Sequence, residues 1–285
     1  MKSLSRINLR VDKFSKAILC VIVAAVAIVP SFAYGLDAKA AKAVRVTCPH
    51  PHPHAINDIG IGNYFPDEAF AKYVYEDILG HQNWNNAGVN YRITGADVNA
   101  IRNCETINVS GRGCKDIRGI EYFTHLKYLD CSDNDFFNIT DVAYCHDLET
   151  LICDHNRIGF LNLTECPHLK KLKCSNNPLM SLNLNNCKEL QEVDCSETII
   201  DFLGVSNCTD IESINISNCN NLVELNVLGN SKIRFINASY CMNLAWIYVQ
   251  AHPVEIRIMH SPRIINNLQY LKSNFKPGDK VDFVD

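Results

Sequence analysis

Fourteen cysteines and ten histidines run through the 285 residues, and either type could carry nucleophilic or metal chemistry. A catalytic thiol needs an ordered histidine beside it and an exposed, electropositive setting. A zinc site needs its ligands grouped at short, regular spacing. The cysteines instead recur at the regular intervals of a repeat, and neither G-x-S-x-G nor H-E-x-x-H occurs. The densest group is Cys48-Pro49-His50-Pro51-His52-Pro53-His54. In an extended chain His50, His52 and His54 could present imidazoles to zinc or copper; the plainer alternative is an unstructured, histidine-rich linker. Setting aside Cys20, which lies in an apolar leader, leaves an odd number of cysteines, so they cannot all pair. Cys104 and Cys114 are the one pair that spacing suggests as a bridge, although both also fit apolar repeat places. No catalytic set and no cofactor site emerge.

The intervals between cysteines point to the elements that must hold them. The pattern L-x-x-L-x-C-x-x-N appears as Leu126, Leu129, Cys131, Asn134, then as Leu148, Leu151, Cys153, Asn156, and as Leu169, Leu172, Cys174, Asn177. A fourth copy reads Leu190, Val193, Cys195, with Thr198 at the asparagine place. Between them runs a second version: Ile158, Leu161, Leu163, Cys166, then Leu179, Leu182, Leu184, Cys187, then Ile200, Leu203, Val205, Cys208. Half-units open further on at Ile211, Leu222, Ile233 and Leu244, and Cys104, Ile107 and Val109 extend the register backwards. Alternation of apolar and polar residues across the last three places is strand periodicity with one face inward. A single short coil cannot bury such a stripe, but stacked coils share a continuous core. The ninth position turns the chain out of the strand: asparagine there can bond main-chain groups in a buried corner, and cysteine fills the same space as a small apolar group. Ten cysteines, at the sixth place (Cys131, Cys153, Cys174, Cys195) or near the ninth (Cys145, Cys166, Cys187, Cys208, Cys219, Cys241), are therefore read as buried thiols. Both halves carry the strand pattern, so two extended faces per coil are expected.

Over about residues 104–256 this grammar resembles the leucine-rich repeat superfamily, and within it a bacterial class that nests the cysteine-type half with an L-x-x-L-x-L-x-x-N/C half. The run 63–74, Asn-Tyr-Phe-Pro-Asp-Glu-Ala-Phe-Ala-Lys-Tyr-Val, and the run Gly119 to Leu126 resemble the segments that lead into such repeats in secreted proteins of gut and oral bacteria. The resemblance implies a mostly β repeat solenoid, a right-handed superhelix with strands on both faces and a small α-helical N-terminal cap. It also implies a secreted or surface-exposed recognition scaffold without chemistry. Relatives often carry a calcium loop near 86–97. Here Asn86, Gly88 and Asn90 fall at ligand places, but Tyr91 stands where glycine is needed and Asp97 is the one carboxylate, so calcium binding is not expected.

The remaining organisation is read as follows. Residues 1–33 are a secretory signal: basic residues, an apolar run from Ala17 to Val29, and Ser31-Phe32-Ala33 before the cleavage point. That run is too short to span a bilayer, which needs about 20 residues, so no membrane insertion is expected once the signal is removed. A flexible linker covers 34–55, an N-terminal helical cap 56–103, the repeats 104–256 and a C-terminal cap 257–285. Within the N-terminal cap, Pro66 inside a helix start predicts a helix to about Leu79 with Phe70, Val74 and Ile78 on one face. Thr94 with Asp97 predicts a second, short one.

The first sixteen residues hold five of the 27 basic and one of the 31 acidic residues, so the body is more acidic than the whole-chain charge of −4. With no Lys/Arg run, nucleic acid is not an expected partner.

Binding should use outward side chains of the cysteine-type strands: Tyr128 and Asp130, Thr150 and Ile152, Lys171 and Lys173, Glu192 and Asp194. Trp246 and Tyr248, two apart on one strand, would suit a sugar ring or a protein hot spot unless the C-terminal cap covers them. The expected function is non-catalytic recognition or adhesion toward a protein or glycan, by a protein that is secreted, on the cell surface or in the periplasm. The alternative is a secreted inhibitor or effector that acts by steric masking. A hydrolase is the weakest reading. Neither the ligand nor the oligomeric state follows from the chain.

Overall fold

In a computed structural model of the chain, the described residues are 60–87, 90–249, 254–266 and 278–282. They all belong to the unit 51–285. The signal segment 1–33, the linker 34–55 with its His50, His52 and His54 tract, and residues 267–277 and 283–285 of the expected C-terminal cap lie outside them.

Each coil contributes one short strand to a parallel sheet. The strands are β1 (Thr106–Asn108), β2 (Tyr128–Asp130), β3 (Thr150–Ile152), β4 (Phe160–Asn162), β5 (Lys171–Lys173), β6 (Ser181–Asn183), β7 (Glu192–Asp194), β8 (Ser213–Asn215), β9 (Glu224–Val227), β10 (Phe235–Asn237), β11 (Trp246–Val249), β12 (Glu255–Arg257) and β13 (Lys280–Asp282). Nine of them form one sheet in the order β1-β2-β3-β5-β7-β8-β10-β12-β13. The central residue of each strand from Ile107 to Ile256 points inward and is buried, and its two neighbours face out. Cys131, Cys153, Cys174 and Cys195 follow their strands at one shared place and are buried, and Ile216, Ala238 and Ile258 continue that line.

The corner after each strand is built by the third and fourth residues beyond it. The eighth place is left-handed in every coil from the second strand on: Asp133, His155, Asn176, Glu197, Asn218, Tyr240 and His260 have φ between 50° and 61°. The ninth place is buried and bonds across coils. Asn156 donates to the carbonyls of Cys131 (3.0 Å), Cys153 and Asp154 (3.1 Å each), and accepts from the Phe136 amide at 3.0 Å. Asn134 and Asn177 repeat this arrangement. The cysteine version keeps part of it. Cys187 and Cys241 donate to the carbonyls of Leu163 (3.2 Å) and Ile216 (3.0 Å) in the preceding coil, so these thiols are weak donors as well as apolar fillers.

The second face is less regular than the expectation of two extended faces per coil. It holds two separate pairs, β4 with β6 and β9 with β11, plus a single parallel bridge between Gly204 and Asn226. In the first two coils short 3-10 turns, Ile120–Tyr122 and Thr140–Tyr144, stand on that side instead. The cause lies in the spacing. Buried Cys114, Ile117, Ile120 and Phe123, and then Phe136, Ile139, Val142 and Cys145, recur every third residue, which matches three residues per turn. The strand-forming halves space them three, two, three, as in Ile158, Leu161, Leu163 and Cys166.

Helices precede the first strand. Pro66 lies just outside the helix Glu68–Tyr73, and its N-cap is Asp67, which accepts the Phe70 amide at 2.9 Å. The other Asp67 oxygen accepts the amides of Lys115 (2.8 Å) and Asp116 (3.2 Å), so one carboxylate fixes both the helix start and the first coil. The helix continues as a π-turn, Val74–Ile78, with Phe70 and Val74 buried. Tyr73 closes the sheet edge, accepting the Asn108 amide of β1 at 3.1 Å. The second expected helix, Gly95–Arg102, has a full capping box between Thr94 and Asp97. Gly119, at φ 102°, could not be another residue: a Cβ there would run into the Phe65 ring and the Tyr64 carbonyl.

Cys104 and Cys114 are both free thiols, so the suggested bridge is absent. Cys104 instead donates to the Thr106 carbonyl at 3.2 Å, while Cys114 is fully buried beneath the first coil. Asp97, the one carboxylate of the calcium-loop register, is occupied by its capping bonds and the Tyr91 hydroxyl.

Candidate functional site

Stacking in register converts residues about 21 apart in sequence into neighbours. Tyr128, Thr150, Lys171 and Glu192 are successive partners across β2, β3, β5 and β7, and so are Asp130, Ile152, Lys173 and Asp194. Eight candidate residues therefore form two parallel rows on one sheet face. Glu192 is exposed and the other seven are half-buried. The rows continue past the sequence-based candidates through Ser213 and Asn215, Phe235 and Asn237, and Glu255 and Arg257. They begin with Thr106 and Asn108. Those beyond Glu192 were missed because the half-units beyond Leu190 were followed at the shorter interval. Keeping the full step from Leu190 to Ile211, Ile233 and Val254 would have found them.

Trp246 and Tyr248 do not join this surface. They lie on β11, which pairs with β9 on the second face.

The electrostatics of the nine-stranded face are mixed and locally paired. Lys171 bonds Glu192 at 2.6 Å along the first row. In the second, Asp194 accepts the Ser196 hydroxyl at 2.6 Å and the Asn215 amide at 3.0 Å. Asp130 accepts the Ser132 hydroxyl at 2.6 Å. Asp154, just beyond Ile152, is held above the usual carboxylate value by burial, although Ser175 bonds it, and nearby Asp194 adds to the shift. Burial also raises the Tyr128 phenol, helped by Asp130. Toward the other end the Arg257 guanidinium sits 5.0 Å over the Phe235 ring. The face thus offers two lysines between acidic neighbours, with a half-buried tyrosine on one side and a phenylalanine on the other.

Most of the repeat thiols sit where ionisation is disfavoured, while Cys219, hydrogen-bonded with Cys195 and Thr198, is shifted down. Burial pushes the Cys114, Cys166 and Cys187 thiols up to about 12 and lifts Cys131, Cys153 and Cys174 as well. Cys195, hydrogen-bonded to Cys219 and buried, follows them. Protonated, inward thiols are poor nucleophiles. Among the described residues no three His, Cys, Asp or Glu side chains are grouped to hold a metal ion, and no helix is long and apolar enough to cross a membrane.

No protein-family model matches the chain, and no curated protein matches it by sequence. Solved structures do resemble it. An internalin (InlF) of Listeria monocytogenes superposes with a TM-score of 0.56 at 15% identity, over 81% of this chain and 68% of that one. Internalin C2 of the same organism gives 0.52 at 19% identity, covering 72% and 88%. The leucine-rich repeat domain of APL1B gives 0.51 at 16% identity, covering 67% and 59%. At such low identity these likenesses concern the fold, which is that of a leucine-rich repeat domain.

Proposed function

We propose that this leucine-rich repeat solenoid is an exported, non-catalytic recognition module that takes a protein ligand on its nine-stranded face. The observation that carries the reading is the register. Tyr128, Asp130, Thr150, Ile152, Lys171, Lys173, Glu192 and Asp194, spread over four coils of sequence, become two adjoining rows on one sheet. A rigid face costs little entropy on binding, and mixed charge around half-buried Tyr128 and Ile152 suits a protein partner whose charges complement it. The helical segment 56–103 serves as the N-terminal cap and 257–285 as the C-terminal one, and the signal 1–33 directs export. Adhesion to a cell or surface is the role we assign to the bound state.

Capture experiments with the mature chain test the proposal. Wild-type protein should retain a partner that the double variant Lys171→Glu, Lys173→Glu loses by at least about tenfold, the size expected from reversing two interface charges. Retention by the double variant at wild-type level would move the site off this face. Export is checked separately: mass spectrometry of secreted material should find a mature protein beginning at Tyr34, and an intact N-terminus would refute cleavage there.

A further inference from the structure

The second face carries its own pattern, which the reading above does not use. Register pairs Phe160 with Ser181 and Trp246 with Glu224, and the Gly204–Asn226 bridge sets Phe202 in the same row. Along the solenoid the row reads Phe160, Ser181, Phe202, Glu224, Trp246, with an aromatic ring on every second coil. These rings are 40%, 64% and 37% exposed. Paired strands lie about 4.8 Å apart, which sets Phe202 and Trp246 about 10 Å apart through Glu224; Ser181 and Phe202 share the same repeat place in successive coils without a strand pairing between them, and Phe160 lies one paired strand before Ser181.

Phe202 also lies low on the surface. A Cβ on Gly204 would come within 2.9 Å of its Cε1 and 3.4 Å of its Cζ, so the ring rests along the sheet over that glycine and does not stand away from it. The adjoining row is Asn162, Asn183, Gly204, Asn226, Tyr248. Glycine thus interrupts a row of amides at the place the ring occupies. The charge on this face is sparse and of one sign. In the five segments 158–163, 179–184, 200–205, 222–227 and 244–249 the charged residues are Asp201 and Glu224, with no lysine or arginine.

We propose that this row binds an uncharged, extended β-1,4-linked hexopyranose chain lying along the solenoid axis. In such a chain every second sugar presents the same face, so its apolar C–H surface recurs once per disaccharide, about every 10 Å, the interval set by two coils of paired strands. Each aromatic ring stacks on one such sugar face, and the asparagine row supplies neutral donors and acceptors to the hydroxyls. Charge complementarity selects the same class. Two carboxylates without a cation repel nucleic acids, anionic glycans and acidic lipid, while a neutral polyol meets no penalty. This face is distinct from the nine-stranded one, so the binding proposed here neither needs nor excludes a protein ligand there.

Titration of the full chain with cellohexaose and with chitohexaose tests the inference, with α-1,4-linked maltohexaose as the mismatched control. Binding to one or both β-1,4 hexamers and not to maltohexaose is expected, and the two arms tell a glucose polymer from an N-acetylglucosamine polymer. Phe160→Ala, Phe202→Ala and Trp246→Ala should each weaken it about tenfold, with unchanged circular dichroism. Gly204→Asn completes the amide row and displaces the Phe202 ring, so it should weaken binding with all three aromatics still present. Lys173→Glu, on the other sheet, should leave it unchanged. Failure to bind either β-1,4 hexamer, equal binding of maltohexaose, or indifference to the three alanine variants would overturn the proposal. So would self-association, or adsorption to phosphatidylcholine vesicles, that the same alanine variants abolish, since that would assign the row to a second copy or to lipid.

Discussion

At the residue scale each coil is fixed at its sixth, eighth and ninth places, and the sixth and ninth are plain in the sequence. The ninth place was legible because asparagine recurs there in a setting otherwise apolar, and a buried amide must be bonded. Asn156 meets four main-chain partners in two coils. Asn156→Ala is therefore expected to cost about 3 kcal/mol, since it strands several buried groups at once; thermal or urea unfolding of the variant measures this. The sixth-place thiols were legible by the same register. Cys174 packs inward with its Sγ 3.4 Å from the Asp194 carbonyl, and Cys174→Ser should lose roughly 1–3 kcal/mol in chemical denaturation by burying a hydroxyl in an apolar line. The eighth place was not legible. Its occupants, among them Asp133, His155, Glu197 and Tyr240, share no chemistry, and only their positive φ unites them. A backbone requirement that several side chains tolerate leaves no mark in composition.

At the element scale, the spacing of apolar residues decides which elements form. The helix Gly95–Arg102 announced itself through Thr94 and Asp97, and the structure realises both halves of that capping box. The start of the helix Glu68–Tyr73 was read two residues early, because Pro66 suits a first turn, but the side chain that bonds the open amides belongs to Asp67. The 3-10 turns were readable in principle from the even three-residue spacing of Phe136, Ile139, Val142 and Cys145, which the leucine-based pattern passed over.

Two predictions belong to this scale. Gly119→Ala forces a side chain into Phe65 at a left-handed φ, and should destabilise the junction of helices and coils by about 2–4 kcal/mol, read from urea unfolding. The second concerns acid. Burial works against the Asp97 carboxylate, yet the Thr94 amide and hydroxyl, the Tyr91 hydroxyl and nearby His81 hold it below its ordinary 3.8. A carboxylate more acidic when folded stabilises the fold above its unfolded pKa, and that contribution is lost as pH falls through the folded value. Trp84, buried in the same segment, reports the outcome. Its fluorescence transition should appear on acidification below about pH 4, the unfolded range of a carboxylate, and Asp97→Asn should remove the acid-dependent part while lowering stability at pH 7.

At the scale of the whole molecule, stacking builds extended faces from short strands that each coil supplies one or two at a time, among the described residues. Tyr128, Thr150, Lys171 and Glu192 are neighbours because the repeat brings them into register, and the sequence revealed that much for the coils of β2, β3, β5 and β7. It did not reveal that Trp246 and Tyr248 belong to a different face. Half-units of nearly equal length look alike along the chain, and only the pairing of β11 with β9 separates them. The most direct test of recognition by the nine-stranded face is hydrogen–deuterium exchange of the mature chain with and without its captured partner. Amides in 126–132, 148–154, 169–175 and 190–196 should exchange more slowly in the complex, as one contiguous block across four coils. Protection confined to the helices before Thr106, or to the coil interval 222–249, with the nine-stranded face unchanged, would contradict the account.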